Sequence, residues 1–258
     1  MAPAGLGCCS PYTMHCMRLD RFLSNQPHLS RKSARQLLRE QRVCVNGCIV
    51  IDALYPVGIF SHIALLSTSG EAETLQLGQP RYHVMLHKPA GCVSATTDPE
   101  HPTVMDYLDQ PWKDQLHLPG RLDFNTTGLL LLTNDGHWSR HLSLPDTGLA
   151  KTYHVTTRDP ISPATKDIFA RGIYFAFEDL TTRPAQLELL APREARLTIH
   201  EGRYHQIRRM FAAVDNKVTA LHRERIGTVA LDPDLNPGEW RFLTVEEIGA
   251  LDCRPNRR

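Results

Sequence analysis

The alternation of apolar and polar positions divides the chain into a short helical part and a longer strand-rich part. Apolar residues recur every three or four positions over residues 19–23 and over residues 34–38, which predicts two short amphipathic helices. Ser30 predicts the start of the second helix, since its hydroxyl can accept bonds from the first free backbone N–H groups. Asn46-Gly47 then separates two apolar runs and predicts a hairpin, because both residues tolerate positive φ.

The longer part contains apolar runs of strand length. Residues 82–86 and 128–132 predict buried strands, and residues 151–157 alternate between apolar and polar as a strand with one buried face. Helices are predicted by fewer signals: Ser162-Pro163 as a start with Gly172 as the end, residues 204–214 by apolar spacing, and residues 244–247 as a capping box. This mixture, with few strand–helix–strand units, predicts an α+β protein whose sheet is mainly antiparallel.

Two breaks in the pattern suggest the domain organisation. Residues 1–16 show no periodicity and contain no Asp, Glu, Lys or Arg, so we expect a disordered extension or a start assigned too early. Residues 69–80 are polar, with Gly and Pro towards their ends, and predict an interdomain linker. The sequence therefore predicts a small domain with its linker over 17–76 and a larger domain over 77–258.

Composition narrows the class of protein only modestly. The 258 residues are 41% hydrophobic, and 29 Lys plus Arg nearly balance 28 Asp plus Glu, so net charge gives no argument for nucleic acid. No run of about 18 apolar residues predicts a membrane span, and the N-terminus lacks the pattern of a signal peptide. Together with seven cysteines, which suit a reducing compartment, this predicts a cytoplasmic protein.

Charge is asymmetric locally. Residues 18–42 contain seven Lys or Arg against two acids, and a solvated helix face is the ordinary explanation of such a cluster. However, the order of helix, basic helix and Asn-Gly hairpin resembles the alpha-L RNA-binding module, also called the S-four (S4) domain. The resemblance implies RNA contacts from the basic residues Arg31, Lys32, Arg35, Arg39 and Arg42.

The 13 histidines raise the question of a metal site. The best candidate pair is His200 and His205, but zinc proteases place two histidines at i and i+4 on one helix face. Here the spacing is i and i+5 with a Gly between, so we expect no metal.

The most informative stretch covers residues 120–136. A polar loop that contains Asp123 leads directly into the apolar run 128–132, so the loop is anchored at the edge of a sheet. A loop Asp alone is usually a turn residue, although a nearby cation would favour its charged form. The complete string resembles the catalytic motif of pseudouridine synthases. The resemblance implies that Asp123 is catalytic and that Arg121 and Thr126 contact the substrate.

Two further stretches resemble motifs of the same family. In Lys151-Thr152-Tyr153, the resemblance implies that Tyr153 stacks on the target base and that Lys151 belongs to the substrate site. In residues 202–209 it implies that Arg208 pairs with the catalytic Asp and that Ile207 lines the pocket. Phosphate contacts beside the site are expected from Arg203, Arg209, Arg223 and Arg225.

Residues 97–104 and 221–227 resemble the branch of the family that modifies small-subunit ribosomal RNA. The implied reaction converts uridine to pseudouridine in 16S RNA, at uridine 516, and the expected partner is a partly assembled small subunit. A synthase for large-subunit RNA and a non-catalytic rRNA-binding assembly factor stay open as alternatives. We expect no cofactor, because the isomerisation adds and removes nothing overall, and the chain contains no phosphate-binding loop or dinucleotide fingerprint.

The residues leave the chemical role of the carboxylate open. Asp123 could attack the sugar, attack the base or remove a proton from the sugar. Each route requires the ionised carboxylate, which Arg208 would favour.

Overall fold

The computed structural model describes residues 16–67, 71–144 and 147–252. The chain divides after Arg81 into two compact units, so the boundary falls later than the sequence predicts. The extension predicted over 1–16 lies outside the described residues, apart from Cys16.

The first unit contains a small antiparallel sheet and two helices. Its elements are β1 (Met17–Arg18), α1 (Leu19–Ser24), α2 (Arg31–Arg39), β2 (Val43–Val45), β3 (Cys48–Ile49), β4 (Pro56–Val57), β5 (Ile63–Leu66) and β6 (Ala72–Gln76). The four-stranded sheet has the order β3-β2-β5-β6, and β1 pairs with β4. The apolar sides of both helices and of the sheet share one core, in which Leu19, Ala34 and Val43 are fully buried.

The local signals of the first unit work as predicted. The hydroxyl of Ser30 accepts a hydrogen bond from the Ser33 backbone N–H at 3.1 Å, which caps α2. Asn46 and Gly47 have φ values of 51° and 83° between β2 and β3, as a type I′ turn requires. The linker prediction is wrong in part, because Ala72–Gln76 forms β6 against β5. This polar edge strand gave no apolar signal.

The second unit is built on one large mixed sheet. Its elements are β7 (His83–Lys88), β8 (Thr127–Thr133), α3 (Gly136–Ser143), β9 (Lys151–Thr157), α4 (Thr165–Arg171), β10 (Tyr174–Phe175), β11 (Leu180–Thr181), β12 (Gln186–Ala191), β13 (Glu194–Ile199), α5 (Gln206–Ala212), β14 (Val218–Ile226), β15 (Val229–Ala230), β16 (Trp240–Phe242) and α6 (Val245–Asp252), with 3₁₀ helices at Val104–Tyr107 and Lys113–Gln115. The strand order is β12-β13-β9-β14-β8-β7-β16, and β15 pairs antiparallel with the end of β14. Only the pair β8 and β14 is parallel, which confirms the predicted α+β class with a mainly antiparallel sheet.

The middle of strand β8 consists of four successive leucines, residues 129–132, because both faces of the sheet are covered there. Leu130 and Leu132 belong to the main core, while Leu129 and Leu131 belong to a second core on the other face. A strand that is fixed on both faces gives a rigid support to the loop that precedes it. That loop holds Asp123.

The helix signals of the second unit are confirmed with one shift. Thr244 and Glu247 form the predicted capping box, with bonds of 2.8 and 3.2 Å between each side chain and the other's backbone N–H. Gly172 ends α4 at a φ of 86°. However, α4 begins at Thr165, because the segment after Ser162-Pro163 first forms a turn in which the Thr165 N–H bonds to the Ser162 carbonyl.

Candidate active site

A cavity of about 180 Å³ lies in the second unit. The loop before β8 contributes Asp123, the start of β9 contributes Lys151 and Tyr153, β14 contributes Arg223, and α5 contributes Arg208. Such a cavity is smaller than the roughly 300–1,000 Å³ of a drug-sized ligand site, so it suits a single flat base better than a length of RNA.

Backbone contacts hold the loop that carries Asp123. Leu122 is buried, and the Ser94 hydroxyl both donates to the Leu122 carbonyl at 2.8 Å and accepts from the Leu122 N–H at 3.1 Å. The Asp123 carbonyl accepts a bond from the Thr126 N–H at 3.0 Å, which closes a tight turn around the carboxylate. The side chain of Asp123 is therefore carried by a backbone that is fixed at both ends.

The side chain of Lys88 also holds the loop that carries Asp123. This lysine is fully buried, and its Nζ donates to the carbonyls of Pro89, Phe124 and Thr126 at 2.9, 3.2 and 2.9 Å. Burial lowers the pKa of Lys88 from its ordinary value. This role of Lys88 was not predicted, because nothing in a lysine at the end of a strand shows which carbonyls its side chain will reach.

Gly128 lets two strands approach closely at the site. Its φ of +106° is unfavourable for other residues, and an added Cβ would lie 2.3 Å from the Arg223 carbonyl oxygen. Residue 128 is paired with Arg223 in the one parallel strand pair of the sheet. The glycine therefore brings Arg223 next to the strand that follows the Asp123 loop.

Two cationic or potentially cationic side chains face the Asp123 carboxylate. Arg208 Nε lies 3.7 Å from Asp123 Oδ2, and His205 Nε2 lies 3.6 Å from Oδ1. The Asp123 side chain is 33% exposed, so it is reachable from the cavity. Arg208 is held in turn by a 3.2 Å bond from Nη1 to the Val218 carbonyl. The structure thus brings together the Asp and Arg that the motifs paired.

His205 reaches Asp123 through an unusual backbone conformation. Its φ of 48° and ψ of 29° are left-handed, a conformation that residues other than Gly rarely adopt. The preceding turn is tied by the buried Glu201, which accepts bonds from Arg203 Nε at 3.1 Å and Gln206 Nε2 at 2.7 Å. The ring of His205 stacks on exposed Tyr204 at 3.9 Å. The sequence pattern raised His205 only as a possible metal ligand, and its place beside Asp123 was not predicted.

A buried group of side chains forms the wall of the cavity opposite these residues. Arg223 is 1% exposed, with Nε bonded to the Leu129 carbonyl at 2.7 Å and Nη1 at 3.5 Å from the Tyr153 hydroxyl. Burial, followed by the charge of Arg223, lowers the pKa of Lys151 to about 8. The sequence predicts Arg223 as a phosphate contact beside the site, whereas the structure buries it inside the wall.

Most residues predicted for catalysis or substrate binding meet at this cavity. The nine that line it are Arg121, Asp123, Thr126, Lys151, Tyr153, Arg203, Ile207, Arg208 and Arg223.

Arg209 and Arg225 do not line the cavity. The guanidinium of Arg209 forms a bidentate pair with Glu178 and lies 3.8 Å over the Phe175 ring. This pairing raises the pKa of Arg209 and lowers that of Glu178. Arg225 bonds to the Thr228 carbonyl and lines a separate groove with His87. Their roles as phosphate contacts stay predictions.

The basic residues of the first unit are mostly free of internal contacts. The side chains of Arg31, Lys32, Arg35 and Arg39 are exposed and form no hydrogen bond or ion pair with another described residue. Arg42 differs, because its Nε bonds to the Leu66 carbonyl at 2.7 Å and its Nη1 lies 3.4 Å from Glu40. A surface of unpaired cations is suited to RNA phosphates.

The described ranges of the chain offer neither a metal site nor a membrane span. Within them, no three His, Cys, Asp or Glu side chains are grouped so that they could hold a metal ion. Every helix in the same ranges is too short or too polar to cross a membrane.

Comparison with known families agrees with this site. The family model described as RNA pseudouridylate synthase matches residues 82–213, and the S4 domain model matches residues 17–61. Together with a relative that is 55% identical over 90% of this chain, these matches show that the chain belongs to the RNA pseudouridylate synthase family. The family resemblance that the motifs indicated is confirmed.

Individual relatives are similar over nearly their full length. The relative at 55% identity is the ribosomal small subunit pseudouridine synthase A of Pseudomonas aeruginosa, of which 99% is covered. The protein of that name from Escherichia coli (strain K12) is 48% identical over 91% of this chain and 100% of the relative. A crystal structure of a pseudouridylate synthase matches with a TM-score of 0.65 and 40% identity, over 91% of this chain and 99% of that one.

Proposed function

We propose that this protein isomerises one uridine of small-subunit (16S) ribosomal RNA to pseudouridine, with uridine 516 as the target and a partly assembled small subunit as the preferred substrate. The names of the two relatives above support the small subunit as the source of the RNA. The protein would act on this substrate in the cytoplasm.

One observation carries the proposal. The Asp123 carboxylate opens into a cavity of base size, with the Arg208 guanidinium 3.7 Å away and Tyr153 in the wall. The reaction breaks the bond between N1 of uracil and C1′ of ribose, turns the base and forms a bond from C5 to C1′, while a proton passes from C5 to N1. A single oriented carboxylate and a closed space for the detached base are what this isomerisation requires.

The target base must leave its RNA stack to reach the cavity. Extruding a nucleotide costs a few kcal/mol, and stacking on an aromatic ring such as Tyr153 offsets about 1–3 kcal/mol of that cost. The exposed arginines of α2 add affinity for phosphates without reading sequence. We therefore expect the target to be selected by RNA shape and loop structure.

The proposal is tested by mapping pseudouridine after incubation with purified protein. Three substrates are compared: a small-subunit rRNA transcript, a large-subunit rRNA transcript and partly assembled small subunits. We expect one new pseudouridine in small-subunit RNA, formed fastest in the partly assembled particle. Modification of large-subunit RNA alone would establish the sister activity instead, and binding with no product in any of the three would indicate a non-catalytic assembly factor.

A further inference from the structure

Two buried polar atoms in the wall of the cavity have no partner. Arg223 Nη2 and Thr126 Oγ1 are both inaccessible to solvent and form no hydrogen bond with any described residue. Both residues line the cavity. Buried polar groups are almost always hydrogen-bonded in folded proteins, so an unpaired guanidinium nitrogen here indicates a missing partner.

The charges around the cavity indicate that the missing partner is an anion. Five cationic side chains and two carboxylates line it. Both carboxylates are already engaged, since Glu201 accepts bonds from Arg203 and Gln206 and Asp123 lies between Arg208 and His205.

Three cations are left without a carboxylate: Arg121, which is exposed to solvent, and Arg223 and Lys151. The side chain of Lys151 forms no hydrogen bond with another described residue. With its pKa lowered to about 8, this lysine still carries its charge at neutral pH. The wall thus holds two positive charges that no acidic side chain neutralises.

A phosphate group is a poor fit for this wall. Arg223 is 1% exposed and lies beside the Tyr153 hydroxyl, inside a cavity of about 180 Å³. An extruded nucleotide places its base innermost, while its phosphates stay with the strand outside. The group that meets the wall is therefore the base.

We propose that Arg223 and Lys151 stabilise the negative charge that builds on uracil while the base is detached from its ribose. This inference rests on the proposed function and assigns a catalytic role to two residues of the same site. When the bond between N1 and C1′ breaks, its electron pair stays on uracil and spreads over O2 and O4. Arg223 Nη2 and Lys151 Nζ are the donors for those oxygens.

The assignment holds for each role of Asp123. If the carboxylate attacks C1′ or a proton leaves the sugar, the base departs as an anion. If the carboxylate adds to the base, the electron pair moves onto O4 instead. In each case charge builds on uracil oxygens, and fixed cations in a dry site stabilise such charge strongly.

The test varies the stability of the base anion. RNA that carries 5-fluorouridine at the target position is compared with RNA that carries uridine, because fluorine stabilises the anion and reduces the need for cations. The rate at which the target nucleoside disappears is measured in single turnover. We expect Arg223→Met to slow uridine by about a hundredfold and 5-fluorouridine by only about tenfold, as for loss of one donor to a developing anion.

Lys151→Met gives an independent variant, since Arg223→Met also removes the bond to the Leu129 carbonyl. For this variant we expect a loss of about tenfold with uridine and a clearly smaller loss with 5-fluorouridine. Lys166→Met and Arg171→Met, on exposed positions of α4, are the matched controls and leave both rates unchanged.

The possible results distinguish an error in the role given to Arg223 and Lys151 from an error in the proposed function. Equal losses on both substrates in Arg223→Met and Lys151→Met would show a positioning or structural role and would overturn this assignment alone. An inactive wild-type protein on every rRNA substrate would instead overturn the proposed function. A substrate-dependent loss in Lys151→Met supports the assignment even if Arg223→Met does not fold.

Discussion

The cations on α2 of the first unit are exposed to solvent, whereas several cations near the cavity of the second unit are buried. In the first unit, Arg31, Arg35 and Arg39 follow one face of α2 and extend into solvent without an ion pair among the described residues. In the second unit, Lys88 and Arg223 are buried, and each of them donates to backbone carbonyls. The same residue types thus serve two purposes.

Exposed and buried cations differ in how they act and in what their removal costs. An exposed cation acts through a long-range field that salt screens within about 10 Å, so neighbouring cations can replace one another. A buried cation acts through the direction of its bonds, and its removal leaves unpaired acceptors. We therefore expect changes to the exposed cations of α2 to alter RNA affinity gradually, and changes to the buried cations of the second unit to abolish folding or chemistry.

The largest effect is expected from Lys88→Met. Each of three carbonyls would lose a donor. The Phe124 carbonyl keeps the Gly91 N–H and the Pro89 carbonyl keeps only a weak contact with the Cys92 thiol, and a buried acceptor left without a partner costs about 1–3 kcal/mol. We expect the free energy of unfolding to fall by about 3 kcal/mol or more, measured by urea denaturation, with activity lost because the Asp123 loop is no longer held. Lys32→Met on exposed α2 is the control, and a similar loss there would contradict the comparison.

Substitutions of Arg208 should show that catalysis depends on a correctly placed positive charge beside Asp123. Arg208→Met leaves Asp123 without its guanidinium, and we expect kcat to fall about a hundredfold with little change in RNA affinity. Arg208→Lys keeps a charge near the carboxylate but loses the bond to the Val218 carbonyl, so a loss within about tenfold is expected. Single-turnover rates and filter binding on one RNA distinguish these results. Equal rates for Met and Lys would show that the charge is irrelevant.

The exposed face of α2 should respond to salt. Replacing Arg31, Arg35 and Arg39 together by Gln removes up to three phosphate contacts, and each contact contributes about 0.7–0.9 to the slope of log K against log salt. We expect RNA affinity to fall about tenfold and the slope to decrease by about 2, with kcat unchanged. An unaltered slope would mean that this face does not meet RNA.

The smallest effect is expected for Lys151→Met, which should raise the free energy of unfolding slightly. The lowered pKa of Lys151 means that its charged form is disfavoured in the fold. The variant should be more stable than wild type by about 1 kcal/mol below pH 8, where both states of the wild type are protonated. The gain should shrink as pH rises from about 8 towards 10.5, because the folded wild type then loses its proton first. Thermal unfolding across this pH range measures it, and a variant that is less stable at pH 7 would contradict the burial argument.

The sequence predicts best what neighbouring residues decide. Strand β9 has the predicted limits, Lys151–Thr157, because one buried face produces a strict alternation. The Asn46-Gly47 turn and the Thr244 capping box likewise depend on backbone conformations that a few residues determine. The edge strand β6 is polar and pairs on one side only, so no periodicity could identify it.

The sequence predicted those site residues that lie within recognisable motifs. Asp123 and Arg208 meet as expected. Lys88 and His205 were missed because their roles depend on which carbonyl or carboxylate the fold brings near them. Arg209 shows the converse: it stands next to Arg208 in sequence, yet successive helix residues point in different directions, and its partner Glu178 comes from a distant loop.

The most direct measurement compares Asp123→Asn with wild type in the same two assays, pseudouridine formation in small-subunit rRNA and binding to that RNA. The substitution preserves shape but removes the negative charge beside Arg208. We predict no detectable pseudouridine and an RNA affinity within about twofold of wild type, since the cations proposed to bind phosphate are untouched. Product formation by Asp123→Asn at a rate near that of wild type would contradict the central role of this carboxylate.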